Sequence, residues 1–251
     1  MKKYCILAVA VATAFLTSCG GTLIEMTETV PAKVNIGRNT ALSIVAPYSN
    51  YGLKSAFESK ITEDGFYALP GQTSKGSATL SLENIERGYL YGSPYLAADV
   101  RILKNGQTLY KKGYIGTAFR DNQGKIQYGG ASRTIARAVM NDLTPREKAY
   151  SVHVDDAKEN PYVKQGAEAC KVGNWAQGKA YALQALKTNP QEAEAYFLLG
   201  VIERNELNYS QSTQYFRKAD SINPSGKYKR FISENKGMEQ NDNAVQAQLQ
   251  S

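Results

Sequence analysis

The chain has 251 residues, with 30 Lys and Arg against 23 Asp and Glu, for a formal charge of +7. The basic residues are scattered without a long basic block, which argues against a nucleic-acid binder. Three cysteines and one histidine leave little material for a disulfide framework, a metal-ligand cluster or histidine-based catalysis.

At the amino terminus, Lys2 and Lys3 precede an uncharged apolar run from Tyr4 to Leu16. That run of about 13 residues is too short for a membrane-spanning helix, which needs about 20. It has the length of a secretory h-region. It ends Leu16-Thr17-Ser18-Cys19-Gly20, which resembles the lipobox of bacterial lipoproteins. The resemblance implies a signal peptide over 1–18, cleavage between Ser18 and Cys19, a diacylglycerol thioether on Cys19 and an acyl chain on its new amino group. Gly at residue 20, rather than Asp, implies sorting to the outer membrane of a Gram-negative cell. The uncharged residues that follow favour the periplasmic face. Loss of Lys2 and Lys3 would leave 28 basic against 23 acidic residues, a net +5. Cys5 would leave with the signal and Cys19 would be blocked, so Cys170 has no disulfide partner. Residues 19–30 read as a lipidated tether.

Residues 31–147 read as a small α/β domain. Ala41 to Ala46 form an apolar run between Asn39 and Pro47, the pattern of a buried strand. Leu53, Phe57 and Ile61 recur every four residues and predict a helix ended by Asp64-Gly65. "FYAL" (66–69) predicts a strand stopped by Pro70-Gly71. Ala78, Leu80 and Leu82 alternate with Thr79, Ser81 and Glu83, the signature of a half-buried strand. Two further strand runs flank Asn105-Gly106, a type I′ hairpin signal. Ile135, Val139 and Leu143 line a last helix, with Ser132 as its expected cap and Pro145 beyond its end. The order satisfies a small sheet covered on one face by two helices. It looks like the small domain of outer-membrane lipoproteins of the curli-secretion and penicillin-binding-protein-activator type.

A linker is expected over 148–160. His153 lies there with Asp155 and Asp156, and these read as a solvated segment rather than a metal site. The glycines of "GYLYGSPY" and "KKGYIG" alternate with tyrosines, which reads as bulges and hairpin ends; a glycan-stacking platform is the functional alternative.

The second half repeats itself. Shifted by 34, Tyr162, Gly166, Asn174, Gln177, Ala185 and Asn189-Pro190 fall on Tyr196, Gly200, Asn208, Gln211, Ala219 and Asn223-Pro224. This spacing resembles the tetratricopeptide (TPR) repeat. Asn174 and Asn208 are expected to cap second helices, and Pro190 and Pro224 to separate units. Cys170 is expected as a small buried side chain. A capping helix with Tyr228, Phe231 and Ile232 completes residues 161–236, and residues 237–251 read as a disordered tail. The fold class expected is therefore α+β: a small sheet with helices on one face, then an all-α array of helical hairpins. The TPR resemblance implies partner binding through Glu194, Phe197, Val201 and Arg204.

No nucleophile motif, phosphate loop or metal-ligand cluster stands out, so no enzymatic activity, catalytic residue, metal or cofactor is expected. The expected partners are the bilayer, through acylated Cys19, and one or more proteins, through the repeats. The expected function is a non-enzymatic interaction scaffold of the cell envelope; the alternative is a surface lipoprotein that binds glycans or nutrients.

Overall fold

A computed structural model describes residues 21–155 and 160–250. Ser18, Cys19 and the signal region lie outside the described residues. The fold is α+β. Its described residues divide into two units: one takes residues 26–150, 207–210 and 230–250, the other residues 21–25, 151–155, 160–206 and 211–229.

The chain enters as strand β1 (Gly21–Val30), which pairs with the late strand β8 (Arg146–Asp155). Thr22, Ile24 and Met26 are buried on one side of β1, a period-2 pattern that only a packed strand shows. Within the tether expected over 19–30 and the linker expected over 148–160, residues 21–30 and 148–155 are paired strand. Thr22, Ile24 and Met26 alternate with Leu23, Glu25 and Thr27; a polar residue on the buried side and an apolar one on the open side masked the signal.

In the first unit, β2 (Thr40–Val45) runs parallel to β3 (Gly76–Leu90). β4 (Ser93–Lys104) and β5 (Gln107–Thr117) follow antiparallel, giving the order β2-β3-β4-β5. Helix α1 (Leu53–Asp64) makes the crossover between β2 and β3. Beyond a short ribbon of β6 (Phe119–Arg120) and β7 (Ile126–Gln127), α2 (Gly129–Leu143) completes the layer. Leu96, Ala98, Val100 and Ile102 of β4 share one core with Leu53, Phe57 and Ile61 of α1 and Ile135, Val139 and Leu143 of α2. Both helices thus cover a single face of the sheet. Gly116 permits the closest approach: a Cβ there would lie 2.4 Å from the Ala131 carbonyl oxygen.

Two local expectations are revised. "FYAL" makes only an isolated parallel bridge, Ala41 to Ala68, because Pro70 brings no N–H to extend the ladder. Ser132 is not the cap of α2; the helix starts a turn earlier, and the Ser132 hydroxyl donates to the Tyr51 carbonyl at 2.8 Å. The β3–β4 turn is built on Tyr91 and Gly92, both at positive φ (50° and 81°), the same two-residue geometry found at Asn105-Gly106 (51° and 77°). The hairpin end expected within "GYLYGSPY" falls at this pair.

The second unit holds α3 (Pro161–Lys171), α4 (Trp175–Thr188), α5 (Ala193–Asn205) and most of α6 (Tyr209–Ile222). Asn174 accepts from the Gln177 N–H at 3.2 Å, as a cap should. The second helices of the two hairpins begin and end 34 residues apart. A Cβ at Gly166 would lie 3.1 Å from the Gly178 carbonyl oxygen of α4, and one at Gly200 would lie 2.4 Å from the Phe216 ring of α6. These equivalent glycines let each hairpin close. Cys170 is buried, and burial pushes its thiol up to about 12.

The last helix, α7, runs from Gly226 to Gln250. The disordered tail expected over 237–251 is therefore corrected to helix, through Gln250. Tyr228, Phe231, Asn235, Met238, Val245 and Gln248 are buried, and with the half-buried Asp242 they recur every three or four residues. Three of the seam positions are polar, which reads as solvated in sequence, but each is spent on a hydrogen bond. Asn235 donates to the Tyr209 carbonyl at 3.3 Å. Asp242 accepts from the Thr29 and Tyr209 hydroxyls. The Gln248 amide accepts from the Ala32 N–H at 2.9 Å and donates to the Ala32 carbonyl at 3.1 Å.

Candidate interaction surfaces

The four residues expected to line a binding face on α5 are held inside their own unit. Phe197 and Val201 are fully buried and Arg204 is 2% exposed. The Tyr228 ring lies 5.5 Å from that of Phe197, and Lys227 sits 4.3 Å over it. Arg204 stacks on Phe216 at 5.2 Å. The Glu194 carboxylate accepts from Lys227 at 2.8 Å and from the Tyr228 hydroxyl at 2.5 Å. These side chains do not form an open groove: the first turn of α7 occupies the place a peptide would take. A helix does start after residue 225, and its first turn covers the face expected to be open.

A buried charge cluster was not foreseen. Asp142, near the end of α2, is 7% exposed. Its carboxylate accepts from Lys33 at 2.6 Å, Tyr110 at 2.7 Å, Tyr114 at 2.8 Å and Lys112 at 2.9 Å. The two tyrosine hydroxyls also bond to each other at 2.7 Å. Burial alone would raise the Asp142 pKa, but the bonds from Lys33, Lys112, Tyr110 and Tyr114 outweigh it and hold the carboxyl well below the usual range. Burial, then contact with Tyr110 and Asp142, pushes the Tyr114 phenol far up. The cluster ties α2 to β5 and to the chain after β1 as a structural clamp. Its signal was present: Asp142 falls seven residues after Ile135, on the buried helix face, and Tyr110, Lys112 and Tyr114 alternate on one side of β5.

On the open face of the sheet, a bulge at Asn84 and Ile85 interrupts the β3–β4 register. Beside it lies a shallow depression of 370 Å³, lined by Asn84, Glu86, Asp99, Gly113 and Ile115 among others. Asn84 donates to Asp99 at 2.8 Å. At the β3–β4 tip, Tyr91 is 99% exposed, and Tyr89, Leu90 and Phe119 are each about half exposed. Arg120 donates to the Tyr89 hydroxyl at 2.8 Å and lies 5.6 Å over its ring. The tyrosines of "GYLYGSPY" thus divide: Tyr95 faces the sheet's open side, while Tyr89 and Tyr91 stand out from it.

His153 has its Nδ1 3.2 Å from the Asp155 carboxylate; Asp156 lies outside the described residues. Among the described residues, no group of three or more His, Cys, Asp or Glu could hold a metal ion. No helix among them is long and apolar enough to cross a membrane.

No protein-family model matches the chain, and no curated protein matches it. Among solved structures it is similar to a PelC dodecamer from Paraburkholderia phytofirmans, at 14% identity and a TM-score of 0.29, covering 49% of this chain and 97% of that one. It is also similar to a minor lipoprotein from Acinetobacter baumannii, at 14% identity and a TM-score of 0.21, covering 60% of this chain and 93% of that one. Likenesses this distant carry no functional argument.

Proposed function

We propose that this chain is a lipid-anchored, non-enzymatic adaptor of the bacterial envelope, acylated at Cys19, held at the periplasmic face of the outer membrane, and bound to a protein partner. The observation that carries the adaptor reading is the exposed cluster of Tyr89, Leu90, Tyr91 and Phe119 beside Arg120. Exposed aromatic rings with an arginine are the composition of interface hot spots. The helical hairpins read as two TPR repeats plus a cap; the matched close contacts at Gly166 and Gly200 support this. In this reading the repeats build the scaffold, since their expected groove is filled from within, and the hairpin tip takes the partner.

The test is photocrosslinking in living cells from residues 91 and 119, with residue 197 as the buried control. A partner protein captured from the tip, and not from 197, supports the adaptor. Capture from 197 alone sinks the tip as the docking site. Full exposure of the Tyr91 ring favours one second reading, a sugar-stacking platform on a surface lipoprotein. Protease shaving of intact cells separates the two: removal of the tip epitope favours surface display, protection favours the periplasm.

A further inference from the structure

The start of the fold lies within two residues of the proposed lipid. Gly21 already belongs to β1, and a Cβ there would lie 2.1 Å from His153 Nε2 and 3.0 Å from the Val154 carbonyl oxygen. A side chain at residue 21 would have to displace that imidazole. One residue on, Thr22 is 2% exposed and donates to Glu168 at 3.0 Å. The chain is thus packed from residue 21 onward. Cys19 is two peptide units earlier, and consecutive Cα atoms are about 3.8 Å apart. Its Cα therefore lies within about 7.6 Å of the Gly21 Cα, whatever path the chain takes.

We infer that the face of the helical unit around Gly21 rests against the phospholipid headgroup layer, so that the anchor fixes an orientation rather than tethering a freely tumbling domain. This rests on the lipoprotein reading. The face is made of His153, Asp155, Glu168, Lys171 and Lys227. Its charges are paired with one another: Lys227 to Asp155 at 2.6 Å, Lys171 to Glu168 at 3.6 Å, His153 to Asp155 at 3.2 Å. Asp155 and Lys171 have side chains 55% and 52% exposed. Such a surface cannot enter hydrocarbon, where a charged side chain costs several kcal/mol. A zwitterionic headgroup layer, which offers both signs of charge, accommodates it. Glycerol-linked acyl chains on Cys19 would hold it there, since detachment of several chains is negligible.

The experiment uses the full acylated chain with Cys170→Ala, carrying one environment-sensitive fluorophore at Asp155→Cys or Lys171→Cys. It is reconstituted in nanodiscs of phosphatidylethanolamine and phosphatidylglycerol, some bearing a nitroxide on the headgroup. A second version carries a spacer of about 12 Gly and Ser residues between Gly20 and Gly21, whose r.m.s. span is about 20 Å. The expected result is loss of most of the emission at both positions in nitroxide nanodiscs, relieved by the spacer. Quenching equal with and without the spacer overturns the orientation while leaving the anchor intact. Absence of palmitate labelling at Cys19 overturns the anchor reading itself, and the orientation with it. Circular dichroism of each labelled chain confirms that the fold is kept.

Discussion

Replacing Asp142 isolates the cluster that binds α2 to β5. Its carboxylate accepts two hydroxyl bonds, from Tyr110 and Tyr114. A buried hydrogen bond to a charged acceptor contributes about 1.5–3 kcal/mol. The two lysines are about half exposed, at 57% and 46% of their side chains, so each adds only about 0.2–1 kcal/mol. The tyrosines keep their mutual bond in the variant, which offsets part of the loss. Asp142→Ala is therefore expected to cost about 3–4 kcal/mol. Asp142→Asn, which keeps one acceptor oxygen and loses the charge, is expected to cost about half of that. The assay is urea unfolding by circular dichroism, with amide exchange in α2 and β5 showing where the loss falls. The pH dependence has a definite sign. The folded pKa of Asp142 is lowered, so at pH values near the unfolded aspartate value of about 3.9 the unfolded state binds more protons. The contribution of Asp142 is fully present above that region and is lost as pH falls through the folded value. The gap between the native chain and Asp142→Asn should be flat from about pH 6 to 8 and narrow below about pH 4. A cost under about 0.5 kcal/mol for Asn, or strict additivity with Tyr114→Phe, would refute the clamp.

Gly200→Ala pushes a methyl into the Phe216 ring and should destabilise the helical unit by about 1–3 kcal/mol, read as a lower urea midpoint. Ending the chain after Gly237 removes Asp242 and Gln248 and exposes the backbone of Ala32; faster amide exchange around residues 29–33 is expected, and unchanged exchange would contradict the helical seam. The thiol of Cys170, buried and shifted up to about 12, should resist maleimide at neutral pH and react on unfolding in urea; rapid labelling of the native chain would show that the α3–α4 hairpin opens. Cys19→Ala should abolish lipid labelling and leave unprocessed precursor, and normal processing would remove the anchor.

Local chemistry made much of this molecule legible. The alternation Ala78, Leu80, Leu82, the four-residue recurrence Leu53, Phe57, Ile61, the Asn105-Gly106 turn and the 34-residue repeat each depend on neighbours within a few turns of chain, so sequence alone determined those elements and the α+β class. Tertiary structure decided the rest, because the deciding partners lie far apart in sequence. Asp142 reads as a helix carboxylate until Tyr110, Lys112, Tyr114 and Lys33 close on it. Asn235, Asp242 and Gln248 read as a solvated tail until Tyr209, Thr29 and Ala32 take up their hydrogen bonds. Phe197, Val201 and Arg204 read as a recognition face until Tyr228 and the α6 rings fill it. The segment after Cys19 reads as a tether until Gly21 meets His153. In each case a polar or exposed-looking residue became structural once a distant partner satisfied it, and burying such a group is affordable only when that partner is in place.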